Sequence, residues 1–186
     1  MKKHFLFLAL LLTVSAGVAL AQDGRRYDVK SGIITMNSDM GSTTIYFDNY
    51  GAVEAQKMKM SGFGADMEMT ILRKDGKTYM INSTEKQVQE MPVMGADVNF
   101  LNLTDKDKST YKIKELGKEK ILDRECTKYS METNQMGMTA TQTVWIWKGI
   151  ALKSLTDGGQ FQFGNTAVKF EENATIPAST FEIPKF

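Results

Sequence analysis

Turn-forming residues interrupt this chain at short, regular intervals, and that spacing is what most constrains its fold. Glycine, or Asn or Asp beside glycine, recurs about every 8–12 residues, whereas proline occurs only three times in the sequence. Between these interruptions lie short runs in which apolar and polar residues alternate, as in residues 67–71 (MEMTI). Because successive side chains of a strand point to opposite faces of a sheet, the pattern predicts a mostly β protein.

These turn-forming residues divide the sequence into about eleven predicted strands. Asp75-Gly76 is the strongest hairpin signal, because the central residues of a type I′ turn need positive φ angles. The predicted strands are residues 27–36, 42–48, 53–60, 66–74, 77–82, 87–91, 112–122, 125–132, 139–147, 150–156 and 160–171. Their succession predicts one meandering antiparallel sheet. A sheet of that size must twist and curl, so we expect it to close fully or partly around an apolar interior.

The alternating pattern is lost between Val98 and Tyr111. Apolar residues in that stretch follow neither strand face, and Thr104 stands before Asp105-Lys106-Asp107 as a helix cap would. The sequence therefore predicts one or two short helices as a single interruption of the sheet.

Residues 1–21 have the three-part order of a secretory signal peptide. Two lysines precede an apolar run, and Ala19-Leu20-Ala21 forms a small-x-small site before Gln22. We expect cleavage between Ala21 and Gln22, which leaves residues 22–186 as a single β-rich domain. The alternative is an uncleaved anchor, but the apolar run is shorter than the ~18 residues that a membrane span needs. The mature protein is predicted to be periplasmic, with no stable transmembrane segment.

Cys126 is the only cysteine of the chain. A bacterial lipoprotein needs a cysteine at its cleavage point, so we expect no lipid anchor, and one cysteine forms no internal disulfide. Cys126 lies in an alternating stretch, where a lone thiol usually behaves as a small buried apolar residue. A reactive or dimer-forming thiol is the alternative.

The mature sequence lacks the residue types of many active sites. Its only histidine is His4, within the predicted signal, which excludes Ser-His and Cys-His pairs and histidine-ligated zinc. No remaining group of side chains suggests an acid, a base and a nucleophile, so we expect neither an enzyme nor a cofactor. Without Lys2 and Lys3 the 23 basic residues become 21, against 22 acidic ones. Such an even balance makes nucleic acid an unsuitable partner.

Methionine is frequent, with 13 in the chain. Three Met-x-Met pairs would each place two side chains on one strand face. Core packing is one explanation, the wall of a cavity for a flexible apolar ligand is a second, and a copper(I) site built from thioethers is a third. The pairs are Met58 with Met60, Met67 with Met69, and Met136 with Met138.

Two groups of residues are candidates for the wall of an apolar cavity. The first shares one face of a predicted strand, and the second is aromatic. Two indoles in one central strand are most often core, and a pocket mouth is the alternative, because each buried indole N–H needs a partner. The candidate ligand-binding residues are Met67, Met69, Ile71, Trp145, Trp147, Phe161 and Phe163.

Several stretches resemble the periplasmic Lol-type lipoprotein carriers. Residues 75–82 (DGKTYMIN) with 85–88 (EKQV) are similar to one carrier hairpin, and residues 144–147 (VWIW) with 157–160 (DGGQ) to another. Residues 176–184 (IPASTFEIP) resemble the closing segment of the carriers. Residues 117–122 (GKEKIL) and 126–129 (CTKY) are closer to an uncharacterised family of exported bacterial proteins within the same superfamily.

This resemblance implies an eleven-stranded, unclosed β-barrel around a helical plug, with an apolar cavity for acyl chains. The expected function is therefore non-enzymatic binding of a hydrophobic small molecule, a lipidated protein or another envelope partner. A methionine-based copper(I) protein and a purely structural interaction module of the envelope are the alternatives. The oligomeric state is not predicted.

Overall fold

A computed structural model of the chain describes residues 25–38, 41–60, 67–91, 98–135, 138–159 and 162–186. The predicted signal peptide with its Ala21–Gln22 bond, Met136 and Phe161 lie outside the described residues, as do the side chains of Met60, Met67 and Met138.

The described residues form one antiparallel sheet of 11 strands, accompanied by short helices. The strands are β1 (Gly32–Ser38), β2 (Gly41–Asp48), β3 (Val53–Met60), β4 (Met67–Lys74), β5 (Lys77–Asn82), β6 (Gln87–Met91), β7 (Lys114–Ile121), β8 (Arg124–Gln135), β9 (Met138–Trp147), β10 (Ile150–Asp157) and β11 (Gln162–Glu172). The helix α1 is Asp105–Thr110, and 3-10 turns occupy Asn49–Gly51, Phe100–Asn102 and Ala178–Phe181. The predicted sheet of about eleven strands, not closed into a barrel, is confirmed.

The order of the strands differs from a single meander in one respect. It runs β6-β5-β4-β3-β2-β1-β11-β10-β9-β8-β7, so the first and last strands pair with each other at the centre. The two edges are β6 and β7, which are neighbours in sequence. A meander read from sequence neighbours would instead leave β1 and β11 at the edges, because it contains no long-range pairing.

The strand β1 begins later than the predicted residue 27, because the preceding segment crosses the end of the sheet. The Tyr27 amide donates to the Tyr50 carbonyl at 3.0 Å, and the Asp28 amide donates to the Lys148 carbonyl at 3.0 Å. Residues 25–31 thus bridge the β2–β3 and β9–β10 connections and cover one end of the sheet.

The covered end is closely packed. Phe47 is fully buried, and the Tyr27 ring meets it edge-on with 4.9 Å between the ring centroids. A Cβ atom at Gly32 would lie 2.7 Å from both the Phe47 and the Phe170 rings, so only glycine permits this approach. Val29 and Phe47 belong to the largest core cluster of the described residues, and Tyr27 and Phe170 pack against it.

The helical segment, residues 98–113, packs against one face of β8–β10. Val98 is buried with Met131, Val144 and Ile146, and we name the face that carries these side chains the inner face. The predicted cap is confirmed, since the Asp107 amide donates to the Thr104 hydroxyl at 3.1 Å. The Asp107 carboxylate accepts from Thr104 in return, and these hydrogen bonds lower the pKa of Asp107.

The opposite, outer face of β3–β5 is covered by the C-terminal segment. Phe181 packs with Ala55, Leu72 and Ile81, and the Lys74 ammonium donates to the Phe181 carbonyl at 3.4 Å. Both faces of the sheet therefore carry covering segments, but each segment covers only part of its face.

Candidate functional site

An open groove with a volume of about 360 Å³ lies on the inner face between β1–β3 and β9–β11. Its volume is within the range of pockets that hold small molecules. The lining residues are Met36, Ser38, Gly41, Ser42, Thr43, Ile45, Gln56, Met58, Lys59, Gln142, Val144, Ala151, Ser154, Phe163 and Asn165. The central pairing of β1 with β11 brings these two sets of strands together.

The first wall of the groove comes from β1–β3. Thr43 is the register partner of Met36 on one side and of Met58 on the other. Because directly paired residues point to the same face, these side chains form a row across three strands. Met36 is only 6% exposed, whereas Ile45 and Met58 are half-buried. The row thus runs from a buried base toward an accessible apolar surface.

The second wall comes from β9–β11. Val144 pairs with Ser154, and Ser154 pairs with Asn165, so these three side chains share the inner face. Val144 is 4% exposed at the base, and Phe163 is 37% exposed at the rim. This wall offers an apolar base and rim with polar groups between them.

The groove is nearly uncharged in its described lining, where Lys59 is the single ionisable side chain. Strand alternation points the Lys59 side chain away from the face of Met58. Its ammonium lies 3.0 Å from a carboxylate oxygen of Glu68 on the neighbouring strand. The polar groups that remain in the lining are hydroxyls and amides, which recognise ligands by hydrogen bonds rather than by charge.

One of the lining amides is tied to a buried carboxylate. Glu54 is 4% exposed, and its Oε1 accepts a hydrogen bond from Gln56 Nε2 at 2.8 Å. Its other oxygen accepts from the Tyr27 hydroxyl. Burial of that hydroxyl, and then the Glu54 charge, raises the pKa of Tyr27 well above its usual value. Arg73 is the register partner of Glu54 on β4.

Some of the sequence-predicted wall residues lie beside this groove. Met69 pairs with Met58, and Ile71 pairs with Gln56, so both belong to the groove face but lie one strand farther out, on β4. Phe163 lines the groove directly. Met67 is the register partner of Met60 along the same strand pair.

The two tryptophans lie elsewhere. Trp145 pairs with Lys153, whereas Val144 of the groove occupies the other face of β9. The indole N–H of Trp145 donates to Glu119 at 2.6 Å, and this bond is the main cause of the lowered pKa of Glu119. The Trp147 ring meets Phe170 edge-on, with centroids 5.9 Å apart. Neither indole lines the groove, since Trp145 packs beneath the ammonium groups of Lys128 and Lys153 and Trp147 packs against Phe170.

Cys126 belongs to the same packed region as Trp145. It is fully buried, and burial raises the pKa of its thiol. The expectation of a small buried residue is confirmed.

The methionine pairs are only partly brought together. Met58 and Met69 are paired across β3 and β4, and the backbone register places Met60 opposite Met67. Met138 lies on β9, and Met136 lies outside the described residues. Within the described ranges, no group of three or more His, Cys, Asp or Glu residues could hold a metal ion.

The sequence did not identify Met36, Ile45 and Val144 as groove residues. Their positions depend on the pairing of β1 with β11, which joins segments from opposite ends of the chain. Ile45 could have been identified from its spacing, because it lies two residues before Phe47 and therefore shares one face of β2 with it.

One solved structure supports the fold, and two further structures are similar at lower scores. An uncharacterized conserved protein from Thermus thermophilus is similar with a TM-score of 0.55 and 8% identity, over 84% of this chain and 87% of that chain. LprF from Mycobacterium bovis is similar with a TM-score of 0.41 and 13% identity, over 82% and 90%. The Mycobacterium tuberculosis lipoprotein LppX is similar with a TM-score of 0.39 and 11% identity, over 81% and 91%.

The sequence comparisons give a family rather than a characterised relative. No curated protein matches this chain. Residues 31–169 match a family described as a domain of unknown function, DUF4412. Separately, the helices among the described residues are all too short or too polar to cross a membrane. The family match confirms the predicted membership in an uncharacterised family: the chain belongs to the DUF4412 family.

Proposed function

We propose that this chain is an exported envelope protein that binds an apolar ligand in the inner-face groove. The ligand is a lipid, an acyl chain or the lipid-modified end of a protein. The observation that carries the proposal is the groove itself, in which half-buried Ile45 and Met58 face Val144 and Phe163 across an open space. Grouped apolar side chains that stay accessible in a concavity are typical of a binding site.

The chemistry of the lining supports an acyl chain in particular. Methionine is unbranched and adapts to ligands of different shape, and Met36 and Met58 both line the groove. Each buried CH₂ group contributes about 0.8 kcal/mol. Affinity should therefore rise steeply with the length of the chain until the groove is filled, and then level off.

The experiment is a titration of the purified mature protein with fatty acyl probes of increasing length. Met58→Glu places an ionised group against the hydrocarbon of the ligand, which costs several kcal/mol unless the group neutralises. We expect this variant to lose binding. Val88→Glu, on the exposed edge strand β6, is the matched control and should bind as the parent does.

Circular dichroism shows whether each variant is folded. If affinity for the parent protein does not depend on chain length, the groove is not an acyl site. The copper(I) site and the structural interaction module would then be the remaining explanations.

Export to the periplasm is proposed from the predicted signal. The mature N-terminus should be Gln22, and the protein should be released from cells by mild osmotic shock. N-terminal sequencing of the released fraction tests this, and a full-length product in the membrane fraction would contradict it.

Copper(I) binding is a second candidate, and the pairing of Met58 with Met69 favours it. Thioether sulfur is a ligand that Cu(I) prefers. The double variant Met58→Leu/Met69→Leu removes both sulfurs while nearly conserving volume. If copper is the ligand, this variant should lose Cu(I) to a competing chelator more readily than the parent. Acyl binding alone predicts that neither protein retains Cu(I).

A further inference from the structure

Gln56 is the lining residue whose orientation is set by Glu54, which lies two residues earlier on the same face of β3. Its Nε2 donates to Glu54 Oε1 at 2.8 Å, and the Tyr27 hydroxyl donates to the other carboxylate oxygen. A carboxylate oxygen accepts hydrogen bonds and donates none. Only the amino end of the Gln56 amide can therefore face Glu54.

This orientation leaves the Gln56 carbonyl oxygen for the groove. Among the described residues, none donates a hydrogen bond to Gln56 Oε1, although Gln56 is half-buried and lines the groove. A partly buried acceptor without a donor is a place where a ligand gains affinity by supplying one.

The charge of the groove lining limits which ligand head groups can donate to Gln56. The Lys59 ammonium, the single cation of the described lining, is paired with Glu68. The single cation of the described lining is thus already paired, and a carboxylate head group has no proton to give to the Gln56 oxygen. A hydroxyl or an amide N–H does have one.

We infer that the groove selects apolar chains whose head group is an uncharged hydrogen-bond donor, a hydroxyl or an amide N–H, and that Gln56 accepts this bond. Glu54 is the positioning residue, because it turns the amide of Gln56. The inference rests on the proposed function and specifies the ligand of the same groove.

The test compares a long-chain primary alcohol, its methyl ether and the fatty acid of equal chain length, each competing with a fluorescent acyl probe. The parent protein should bind the alcohol about three- to tenfold more tightly than the ether, as expected for one net hydrogen bond. The fatty acid, when ionised, should show no advantage over the ether.

In Gln56→Leu, the ratio of the affinity for the alcohol to the affinity for the ether should fall close to one. The increase of affinity with chain length should remain. Gln89→Leu, on the exposed edge strand β6 outside the groove, is the matched control and should keep the ratio of the parent. Glu54→Gln, with folding verified by circular dichroism, frees the Gln56 amide to rotate and should also reduce the ratio. A purely structural role of Glu54 would lower stability without changing this ratio.

The outcomes separate the two proposals. Equal binding of alcohol and ether by the parent, with a steep dependence on chain length, overturns the inference and leaves the groove as an acyl site. If Gln56→Leu keeps the alcohol-to-ether affinity ratio of the parent, the role of Gln56 is overturned. If no probe binds in a manner that depends on chain length, both proposals fail.

Discussion

The two ends of the inner face of β1–β3 have the same alternation of side chains but different surroundings. At one end, Phe47 is fully buried beneath Tyr27 and beside Phe170. At the other end, Ile45 and Met58 remain half-buried along the groove. The difference arises because residues 25–31 cross only the first end. A strand face becomes core or binding surface according to what covers it.

The inner-face residues of β2 show this transition within one strand. Phe47, Ile45 and Thr43 follow one another at spacing two, and their side chains become smaller and less apolar toward the open end. The large ring fills the covered end, whereas the smaller side chains leave space between the two walls. The sequence of β2 therefore matches a sheet that is packed at one end and open at the other.

The largest effect should follow truncation at the covered end. Phe47→Ala removes a fully buried ring, and we expect it to lower the free energy of unfolding by about 3–5 kcal/mol. Ile45→Ala, at the half-buried open end, should cost about 1 kcal/mol. Urea unfolding of both variants measures the difference, and equal costs would show that the two ends do not differ in packing.

A smaller effect should come from the hydrogen bond that closes the covered end. Tyr27→Phe leaves Glu54 with one hydrogen-bond donor fewer and should lower the free energy of unfolding by about 1–3 kcal/mol. The raised pKa of Tyr27 in the folded protein means that its hydroxyl stays protonated where the unfolded chain loses the proton. Its contribution to stability is complete below about pH 10 and is lost as the pH rises toward the folded pKa.

Urea unfolding at increasing alkaline pH tests whether the contribution of the Tyr27 hydroxyl to stability decreases as the pH rises. The parent should lose stability above about pH 10 more steeply than Tyr27→Phe does. Tyr79→Phe, in the outer-face cluster, is the control and should keep the alkaline loss of the parent. Identical pH profiles for the parent and Tyr27→Phe would contradict the account of this hydroxyl.

The smallest change in stability should occur in the groove. Met58→Ala shortens a half-buried side chain on β3, so we expect a loss below about 1 kcal/mol in the free energy of unfolding. Affinity for an acyl probe should nevertheless fall several-fold, since the ligand loses contact with this wall. A variant that loses stability but keeps its affinity would place Met58 in the core rather than at the ligand.

Local features of the fold could be predicted from the sequence, because they depend on neighbouring residues. Asp75-Gly76 forms the expected turn with φ angles of 53° and 73°, and Thr104 caps its helix. Alternation also placed Met69 and Ile71 on one face. The sequence could not show which face is concave, because alternation treats the two faces alike. Trp145 and Val144 are adjacent, yet only Val144 lines the groove.

The rest of the site depends on contacts between distant segments. Met36 and Val144 line one groove because β1 pairs with β11. The pairing also contains a register shift between Thr35 and Met36, and a second shift lies between Ala151 and Lys153 in β10. Such bulges change which side chains face inward, and no local pattern in the sequence marks them.

Photoaffinity labelling with a diazirine-bearing acyl probe reports where the ligand lies, and it therefore tests whether the inner-face groove is the binding site. After irradiation and proteolysis, the labelled peptides of the parent protein can be identified by mass spectrometry. We expect labels on the two groove walls, in the β2–β3 peptides that contain Ile45 and Met58 and in the β9 peptide that contains Val144. Excess unlabelled ligand should suppress these labels. Labels confined to the C-terminal segment around Phe181, on the outer face, would show that the ligand does not bind in the inner-face groove.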